Sequence, residues 1–212
     1  MRVHLPSLKG QRFTLRPLRG TDALSLQRHA DDPLVAQHLF DGFPQPYTLA
    51  HAQAWCEGQH LEPAFAHVLG VAVERDEVAG CISVTPQNGM WACSAIVGYW
   101  LGRAHWQQGV MSQALTLLTE WAWTALPATT RLWAPIFARN VASQRVAAKA
   151  GYALEGRMPL SILKSGQPID AVMMACYRPG SQPAQETLED RLSRFDPARH
   201  GQQTPRESTR RS

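Results

Sequence analysis

The feature that most constrains this 212-residue chain is an apolar, strand-like run that leads through a glycine turn into a long amphipathic helix. The run is Val97-Gly98-Tyr99-Trp100-Leu101, and Gln107-Gln108-Gly109-Val110-Met111-Ser112 follows it. The first N–H groups of a helix have no partner within the helix, and the helix dipole places partial positive charge there. Such a junction can bind phosphate, because glycine lets the backbone approach closely. For this segment alone, an ordinary strand-to-helix connection is the alternative.

The helix after this turn is predicted to run from residue 108 to residue 125 and to end before Pro127. Apolar residues recur at the spacing of one helix face, which predicts that this face packs on a sheet. They are Met111, Ala114, Leu115, Leu118, Trp121, Ala122 and Ala125.

The rest of the chain alternates between predicted strands and helices. A helix is predicted at 21–30, capped by Thr21 or Asp22, and further helices at 48–59 and 141–149. Asn88-Gly89, between two apolar runs, indicates a hairpin turn. The predicted strands span 12–16, 65–74, 78–85, 91–101, 130–136, 152–162 and 168–177.

Composition predicts one folded domain over residues 1–179. With 44% apolar residues, that length can bury a core. Beyond Pro179 the residues are mostly Gln, Ser, Pro, Arg and Glu, so residues 180–212 are predicted to be a polar, disordered tail. The net charge of +4 comes from scattered Lys and Arg residues, and we expect no direct binding of nucleic acid.

The four cysteines are too far apart in sequence to indicate a zinc site or a disulfide framework, and all are predicted to be buried or half-buried. The start of the chain lacks the apolar region of a signal peptide, and no apolar run is long enough to span a membrane. We therefore expect a cytoplasmic protein that does not enter a membrane.

Six short segments, in order along residues 8–178, resemble the GCN5-related N-acetyltransferase (GNAT) superfamily. Within it, they are most similar to the RimJ/RimL-like branch of ribosomal-protein N-terminal acetyltransferases. The segments are Arg12-Phe13-Thr14-Leu15-Arg16-Pro17-Leu18, Asp32-Pro33-Leu34-Val35, Gly98-Tyr99-Trp100-Leu101, Gly109-Val110-Met111-Ser112-Gln113-Ala114, Asn140-Val141-Ala142-Ser143 and Gly151-Tyr152-Ala153-Leu154-Glu155-Gly156.

This resemblance implies the GNAT fold, an α/β architecture. Its sheet is mixed and mostly antiparallel, with about seven strands and four to five flanking helices. Two central parallel strands, here 91–101 and 130–136, splay apart to hold acetyl-CoA as co-substrate, without a metal ion. The implied reaction transfers acetyl to a primary amine by direct attack on the thioester.

The resemblance also implies the residues of the site. Backbone groups of Val97, Gly98 and Tyr99 would bind the pantetheine arm and polarise the thioester carbonyl. Asn140 and Ser143 are the expected catalytic residues, with Asn140 also contacting pantetheine and Ser143 protonating the leaving thiolate. Both also suit a helix N-cap, and the two roles can coexist. The N–H groups expected to hold the pyrophosphate are those of Gln108, Gly109, Val110, Met111 and Ser112.

Two positions depart from the family pattern. Met111 stands where Gly or Ala is common, although the closest branch also accepts Met. Ile162 stands where a close relative has a glutamate that activates the acceptor amine through water. The base is therefore unassigned, and its candidates are His67, Glu74 and His105, each more often a structural residue.

Other residues could serve structure or function. For Glu155 a structural ion pair is favoured over catalysis, and Asp170 is expected to position a loop. By analogy, the aromatic loop of Phe40, Phe43 and Tyr47 would lie over the acceptor pocket, although core packing is the favoured role for any one of them.

The missing base bears on the choice of acceptor. At about pH 7.4, roughly a fifth to a third of an α-amine is neutral, against about 0.1% of a lysine amine. A protein or peptide N-terminus is therefore the expected acceptor. A small amine, such as an amino acid, polyamine or aminoglycoside, and a non-catalytic acyl-CoA-binding module remain alternatives. The resemblance is also compatible with a homodimer.

Overall fold

The computed structural model describes residues 5–58 and 66–181, whose strands form one eight-stranded sheet. The order across the sheet is β1-β2-β3-β4-β5-β6-β8-β7. The strands are β1 (Leu8–Lys9), β2 (Thr14–Arg16), β3 (His67–Ala72), β4 (Val78–Pro86), β5 (Ser94–Leu101), β6 (Arg131–Phe137), β7 (Ala153–Lys164) and β8 (Gln167–Tyr177).

Five α-helices lie in these described ranges. Pro33 at the start of the second and the Thr48 side chain at the start of the third are ordinary helix-starting signals. The helices are α1 (Ala23–Ala30), α2 (Pro33–Ala36), α3 (Leu49–Cys56), α4 (Val110–Ala125) and α5 (Val141–Lys149).

Neighbouring strands pair antiparallel everywhere except between β5 and β6, which run parallel. A mixed, mostly antiparallel sheet with one central parallel pair is therefore confirmed. The prediction of seven strands missed the two-residue β1, which pairs with β2 at the edge of the sheet.

Helix α5 has the predicted bounds, and α4 begins two residues later than predicted, after Gly109. One local prediction was wrong. The strand expected from residue 91 begins at Ser94, because residues 89–91 form a 3-10 turn within a longer hairpin connection. Asp22, one of the two predicted caps, is the N-cap residue of α1, but its side chain does not bond to the helix, because its carboxylate accepts hydrogen bonds from the buried Arg16 guanidinium at 2.8 Å.

The core lies on both faces of the sheet. On one face, α4 packs its apolar side on β4 and β5, with Leu115, Leu118 and Leu132 fully buried. On the other face, α1 and α3 cover a smaller cluster that includes Cys81 and is flanked by Trp100. Successive side chains of a strand point to opposite faces of the sheet. Alternate residues of a central strand therefore pack in one or the other of these two layers.

The predicted tail lies almost wholly outside the described residues, so its order stays a prediction. Among the cysteines, Cys93 is exposed, contrary to expectation, because it lies in the connection between β4 and β5. In the described part of the chain, no helix combines the length and apolar character that crossing a bilayer requires.

Candidate active site

The site is built around the point where β5 and β6 part. The two strands are in parallel register at only three residue pairs, from Ser94 opposite Arg131 to Ile96 opposite Trp133. Beyond them, β5 continues to Leu101 beside β4, and β6 continues to Phe137 beside β8. A strand presents backbone N–H and C=O groups toward both of its neighbours. The diverging edges therefore line a cleft with hydrogen-bonding groups.

The middle of β5 offers its backbone to this cleft. Val97 is buried on the face covered by α4, whereas Gly98 is exposed in mid-strand because it has no side chain. Tyr99 again points toward the α4 and α5 side. An extended ligand can therefore approach the backbone of Gly98 closely.

The N-terminus of α4 follows β5 after a short turn. Gly109 adopts a left-handed conformation, with φ of 77°, and no side chain caps the helix. The side chains of Val110 and Met111 are buried in the core, so these two residues offer only backbone N–H groups to a ligand. Gln108 is exposed and its amide binds the Ala104 carbonyl. This helix start thus has the unpaired donors that an anion requires.

Tyr99 and Ser143 meet across the cleft. The Ser143 hydroxyl donates to the Tyr99 hydroxyl at 3.0 Å, and the Tyr99 hydroxyl donates to the Ser143 carbonyl at 3.0 Å. Burial raises the pKa of Tyr99 to about 12, so its proton is retained at neutral pH. Asn140 caps α5, since its Oδ1 accepts from the Ser143 N–H at 3.1 Å. The expected Asn140 cap is therefore present, and Ser143 lies in the first turn of the helix.

Of the three base candidates chosen from the sequence, His67 and Glu74 lie away from the cleft, and His105 lies in the 3-10 turn between β5 and α4. His67 is in β3, which is separated from β5 by β4. Its ring packs edge-on against Trp121, with the two ring centroids 5.8 Å apart. Glu74 is exposed in the turn between β3 and β4. His105 packs edge-on against His29 at 5.4 Å. Burial lowers the pKa of both His67 and His105, and the charge of His29 lowers that of His105 further.

Ile162 lies near the tip of the hairpin formed by β7 and β8, opposite Ile169. Its side chain is half-buried and shares a face with Lys164, while Leu163 between them is exposed. Lys164 reaches from this face to the loop after α2, where its ammonium donates to the Leu39 carbonyl at 2.8 Å and pairs with Asp41 at 2.9 Å. The position of Ile162 therefore faces that loop.

The chain from residue 32 to residue 41, here called the bridging segment, spans the open end of the cleft. At one end, Asp32 pairs with Arg103, which follows β5, at 3.0 Å. At the other end, Asp41 accepts from the Ser165 N–H at 2.7 Å and pairs with Lys164 at the hairpin tip. The segment thus connects the β5 side of the cleft to the β7–β8 side.

His38 lies within the bridging segment and was missed in the sequence. Its Nδ1 is buried and has no hydrogen-bond partner within residues 5–58 and 66–181. Burial lowers the pKa of His38, and the charges of Arg139 and Lys164 lower it further. Lys164 at the hairpin tip binds the carbonyls of Ala36 and Leu39 on either side of His38, and Arg139 lies two residues after β6, which places His38 beside the mouth of the cleft. No local motif marks this histidine, because its neighbours come from distant parts of the chain.

Glu155 and Asp170, the two carboxylates expected to have structural roles, each form an ion pair and a hydrogen bond within the fold. Glu155 forms an ion pair with Arg131 and accepts a hydrogen bond from Tyr177, and both interactions lower its pKa. Asp170 accepts from the Leu160 N–H at 2.9 Å and pairs with Arg157, which fixes the irregular part of β7. An open depression of about 520 Å³ adjoins this region, lined by Ala138, Arg139, Arg157, Ile169, Asp170 and Val172.

The aromatic loop divides between core and surface. Tyr47 is buried, and Phe43 stacks on it at 4.9 Å and meets Trp100 of β5 edge-on at 5.9 Å. Phe40 remains exposed. Core packing is thus confirmed for Tyr47, while Phe43 covers β5 on the face opposite α4.

No group of three or more His, Cys, Asp or Glu side chains in the described ranges is arranged to hold a metal ion. The cleft geometry can instead accommodate an extended ligand with an anionic end, along the edge of β5 and up to the start of α4. Residues 12–153 match the family described as acetyltransferase (GNAT) domain. The chain belongs to this family. It is therefore a GNAT acyltransferase.

Similar proteins cover nearly the whole GNAT domain. The protein named "Probable N-acetyltransferase YjcK" from Bacillus subtilis (strain 168) is 27% identical over 187 residues, covering 82% of this chain and 99% of its own. Mycobacterium smegmatis RimJ, solved with a coenzyme A disulfide, has a TM-score of 0.72 at 20% identity, over 89% of this chain and 93% of its own. RimL, a ribosomal L7/L12 alpha-N-protein acetyltransferase solved with coenzyme A, has a TM-score of 0.68 at 22% identity, over 81% of this chain and 98% of its own. At such identities the structural likeness shows a common fold.

Proposed function

We propose that this GNAT enzyme transfers the acetyl group of acetyl-CoA to the N-terminal α-amine of a protein or peptide. The observation that carries the proposal is the parting of β5 and β6 beside the uncapped start of α4. The same cleft brings the Tyr99 and Ser143 hydroxyls together. Likeness to RimJ and to RimL, a ribosomal alpha-N-protein acetyltransferase, favours a protein N-terminus as acceptor.

In this proposal the donor lies along the cleft. The pyrophosphate binds the backbone N–H groups from Gln108 to Ser112, where the helix dipole favours negative charge. The pantetheine arm pairs with the backbone from Val97 to Tyr99. An N–H of β5 that points into the cleft then donates to the thioester carbonyl and stabilises the oxyanion formed on attack.

The acceptor nitrogen attacks the thioester carbon to form the new C–N bond, and the C–S bond breaks when the resulting oxyanion collapses. The amine loses one proton and the CoA thiolate gains one. Ser143 gives its hydroxyl proton to the thiolate, for which the hydroxyl turns from Tyr99 toward the sulfur, and the Ser143 oxygen regains a proton from solvent. Asn140 holds the first turn of α5 in place through the Ser143 N–H and keeps its amide N–H₂ for the pantetheine.

An α-amine suits this site better than a lysine amine because residue 162 is an isoleucine. Without a carboxylate there, an acceptor that is already partly neutral has the advantage. The test is acetyl transfer from acetyl-CoA to a panel of peptides with free N-termini, the same peptides with blocked N-termini and internal lysines, and small amines including polyamines and aminoglycosides.

Release of free thiol, together with the mass and position of the acetyl group on the product, gives the result. Modification at the free N-terminus of peptides is expected. Faster transfer to a small amine than to every peptide would overturn the choice of acceptor. Transfer to none of the panel would overturn the proposed function as a whole.

A further inference from the structure

The proposed reaction leaves one proton without an acceptor in the protein. The attacking amine must lose a proton, yet Ile162 cannot take it. His67 and Glu74 lie in other parts of the fold, and the His105 ring packs against His29 of α1. A base must come close to the proton that it removes, so it has to be sought at the mouth of the cleft.

The bridging segment supplies a suitable group there. Its two ends are held by Arg103 after β5 and by Lys164 on β7, and this places the middle of the segment across the ends of the diverging strands. Lys164 donates to the carbonyls of Ala36 and Leu39, on either side of His38. The backbone that carries the imidazole is therefore fixed to the same strand face as Ile162.

We propose that His38 is the base that takes the proton from the acceptor amine, a role that rests on the proposed transferase function. A ring nitrogen of neutral His38 accepts the proton as the amine nitrogen bonds to the thioester carbon. The imidazolium then passes the proton to solvent. The thiolate receives its proton from Ser143, whose oxygen regains one from solvent, so the reaction as a whole leaves both His38 and Ser143 unchanged.

The surroundings of His38 match this role. A buried Nδ1 without a partner within the described residues is costly in a resting protein, and a polar group of a substrate can provide that partner. The charges that lower the pKa of His38 are those of Arg139 from the loop after β6 and Lys164 from β7, and Lys164 is itself paired with Asp41. Two cations near the ring disfavour imidazolium. His38 is thus neutral at pH 7 and passes on quickly any proton that it takes.

Arg139 also links His38 to a surface on which an acceptor could rest, because it lines the open depression between the loop after β6 and the β7–β8 hairpin. In the proposed reaction the acceptor amine enters the cleft from this side. A base at position 162 and a base at position 38 would then serve the same proton.

The experiment compares His38→Gln with wild type in steady-state transfer to the best acceptor from the panel, across pH 5.5 to 9. We expect kcat to fall by about a hundred-fold, the lower end of general-base contributions, with KM for acetyl-CoA unchanged. The wild-type rate should titrate below pH 6.5 with His38 and again with the acceptor amine, whereas the variant should keep only the second titration. His67→Gln is the matched control, since that ring lies in β3, separated from β5 by β4, and packs against Trp121.

Two further measurements separate catalysis from structure. Added imidazole should restore activity to His38→Ala and leave His67→Ala unaffected, which a purely structural role would not produce. The His38 ring should titrate below 6.5 by NMR in the folded wild type.

An active wild type with an equally active His38→Gln, or a His38 ring that is still protonated at pH 7.5, would overturn the assignment of the base and leave the acceptor proposal intact. A wild type that acetylates nothing in the panel would overturn both proposals.

Discussion

The Ser143 hydroxyl donates to the hydroxyl of Tyr99 at 3.0 Å, and Tyr99 returns a hydrogen bond to the Ser143 carbonyl. A side chain of β5 is thereby fixed to the first turn of α5 across the cleft. Because both hydroxyls belong to one closed arrangement, the position of Ser143 depends on Tyr99 as well as on its own helix.

This arrangement predicts graded effects of two substitutions. Ser143→Ala removes the proton donor and should lower kcat by about a hundred-fold. Tyr99→Phe keeps the donor but removes its anchor, and should lower kcat by up to about tenfold, the equivalent of one hydrogen bond. KM for acetyl-CoA should change little in either variant. Steady-state kinetics with acetyl-CoA as the varied substrate measures both effects.

Tyr152→Phe is the control for the loss of a buried phenol. The Tyr152 hydroxyl bonds to Thr119 at 2.9 Å in the core, so its removal should lower the melting temperature without changing kcat. A Ser143→Ala enzyme as fast as wild type would exclude the donor role.

A second prediction concerns the start of α4. Gly109→Val should weaken CoA binding, because a β-branched residue strains the left-handed backbone and crowds the anion. Gly151→Val is the matched control, since Gly151 is also left-handed, with φ of 86°, and lies at the end of α5. Both variants should lose stability.

The readout is the ligand-induced rise in melting temperature. For wild type, CoA at one hundred times its Kd adds about 2.7 kcal/mol to the free energy of unfolding. The rise should shrink in Gly109→Val alone, and an equal shrinkage in both glycine variants would contradict the assignment of the anion site.

A third prediction concerns stability against pH. His38, His67 and His105 have lowered pKa values in the folded state because of burial. Below about pH 6.5 the unfolded chain binds protons at these rings more readily, so the free energy of unfolding falls as the pH falls. The melting temperature should therefore decrease between pH 7 and pH 5, before any carboxylate in an ion pair is protonated.

Substitution of these histidines should flatten the pH dependence. In His67→Gln the decrease in melting temperature between pH 7 and pH 5 should be smaller than in wild type. The steeper loss at lower pH should remain, because the pKa values of Asp76 and Glu155 are lowered by their arginine partners. A wild-type melting temperature that is constant from pH 7 to pH 5 would contradict the prediction.

A fourth prediction joins Ile162 to His38. Ile162→Glu introduces a carboxylate on the strand face that carries Lys164, next to the bridging segment. If the two positions can serve the same proton, this substitution should restore part of the activity that His38→Gln loses. Ile162→Gln, of similar size but unable to act as a base, should restore none. Equal rates for the two double variants would mean that residue 162 is too far from the amine.

Sequence patterns were informative wherever local periodicity determines the structure. The apolar face of α4 and the Asn140 cap of α5 each depend on residues close together in the chain, and both helices were predicted with bounds that are correct or nearly so. The parallel β5–β6 pair came from the resemblance. The start of β5 was missed because Met90 and Trp91, although apolar, are exposed in a turn.

The environment of His38 could not be predicted in the same way. It depends on a histidine after α2, an arginine after β6 and a lysine near the end of β7, more than a hundred residues apart at the extremes. The ion pairs at the two ends of the bridging segment, together with the hydrogen bonds from Lys164 to its carbonyls, bring these groups together. Likewise, nothing in the sequence distinguishes Tyr99 as the residue whose hydroxyl meets Ser143.

The short contact between β5 and β6 also affects how rigidly the two halves of the sheet are connected. Strands β1 to β5 form one half and strands β6 to β8 the other, and β5 and β6 share only three parallel residue pairs. A bound acetyl-CoA that bonds to the free edges of both strands would take the place of an absent strand and connect the two halves. Amide hydrogens that face the cleft from β5 and β6 should then exchange more slowly when CoA is bound. Loading the co-substrate would thus stiffen the framework that must hold the acceptor.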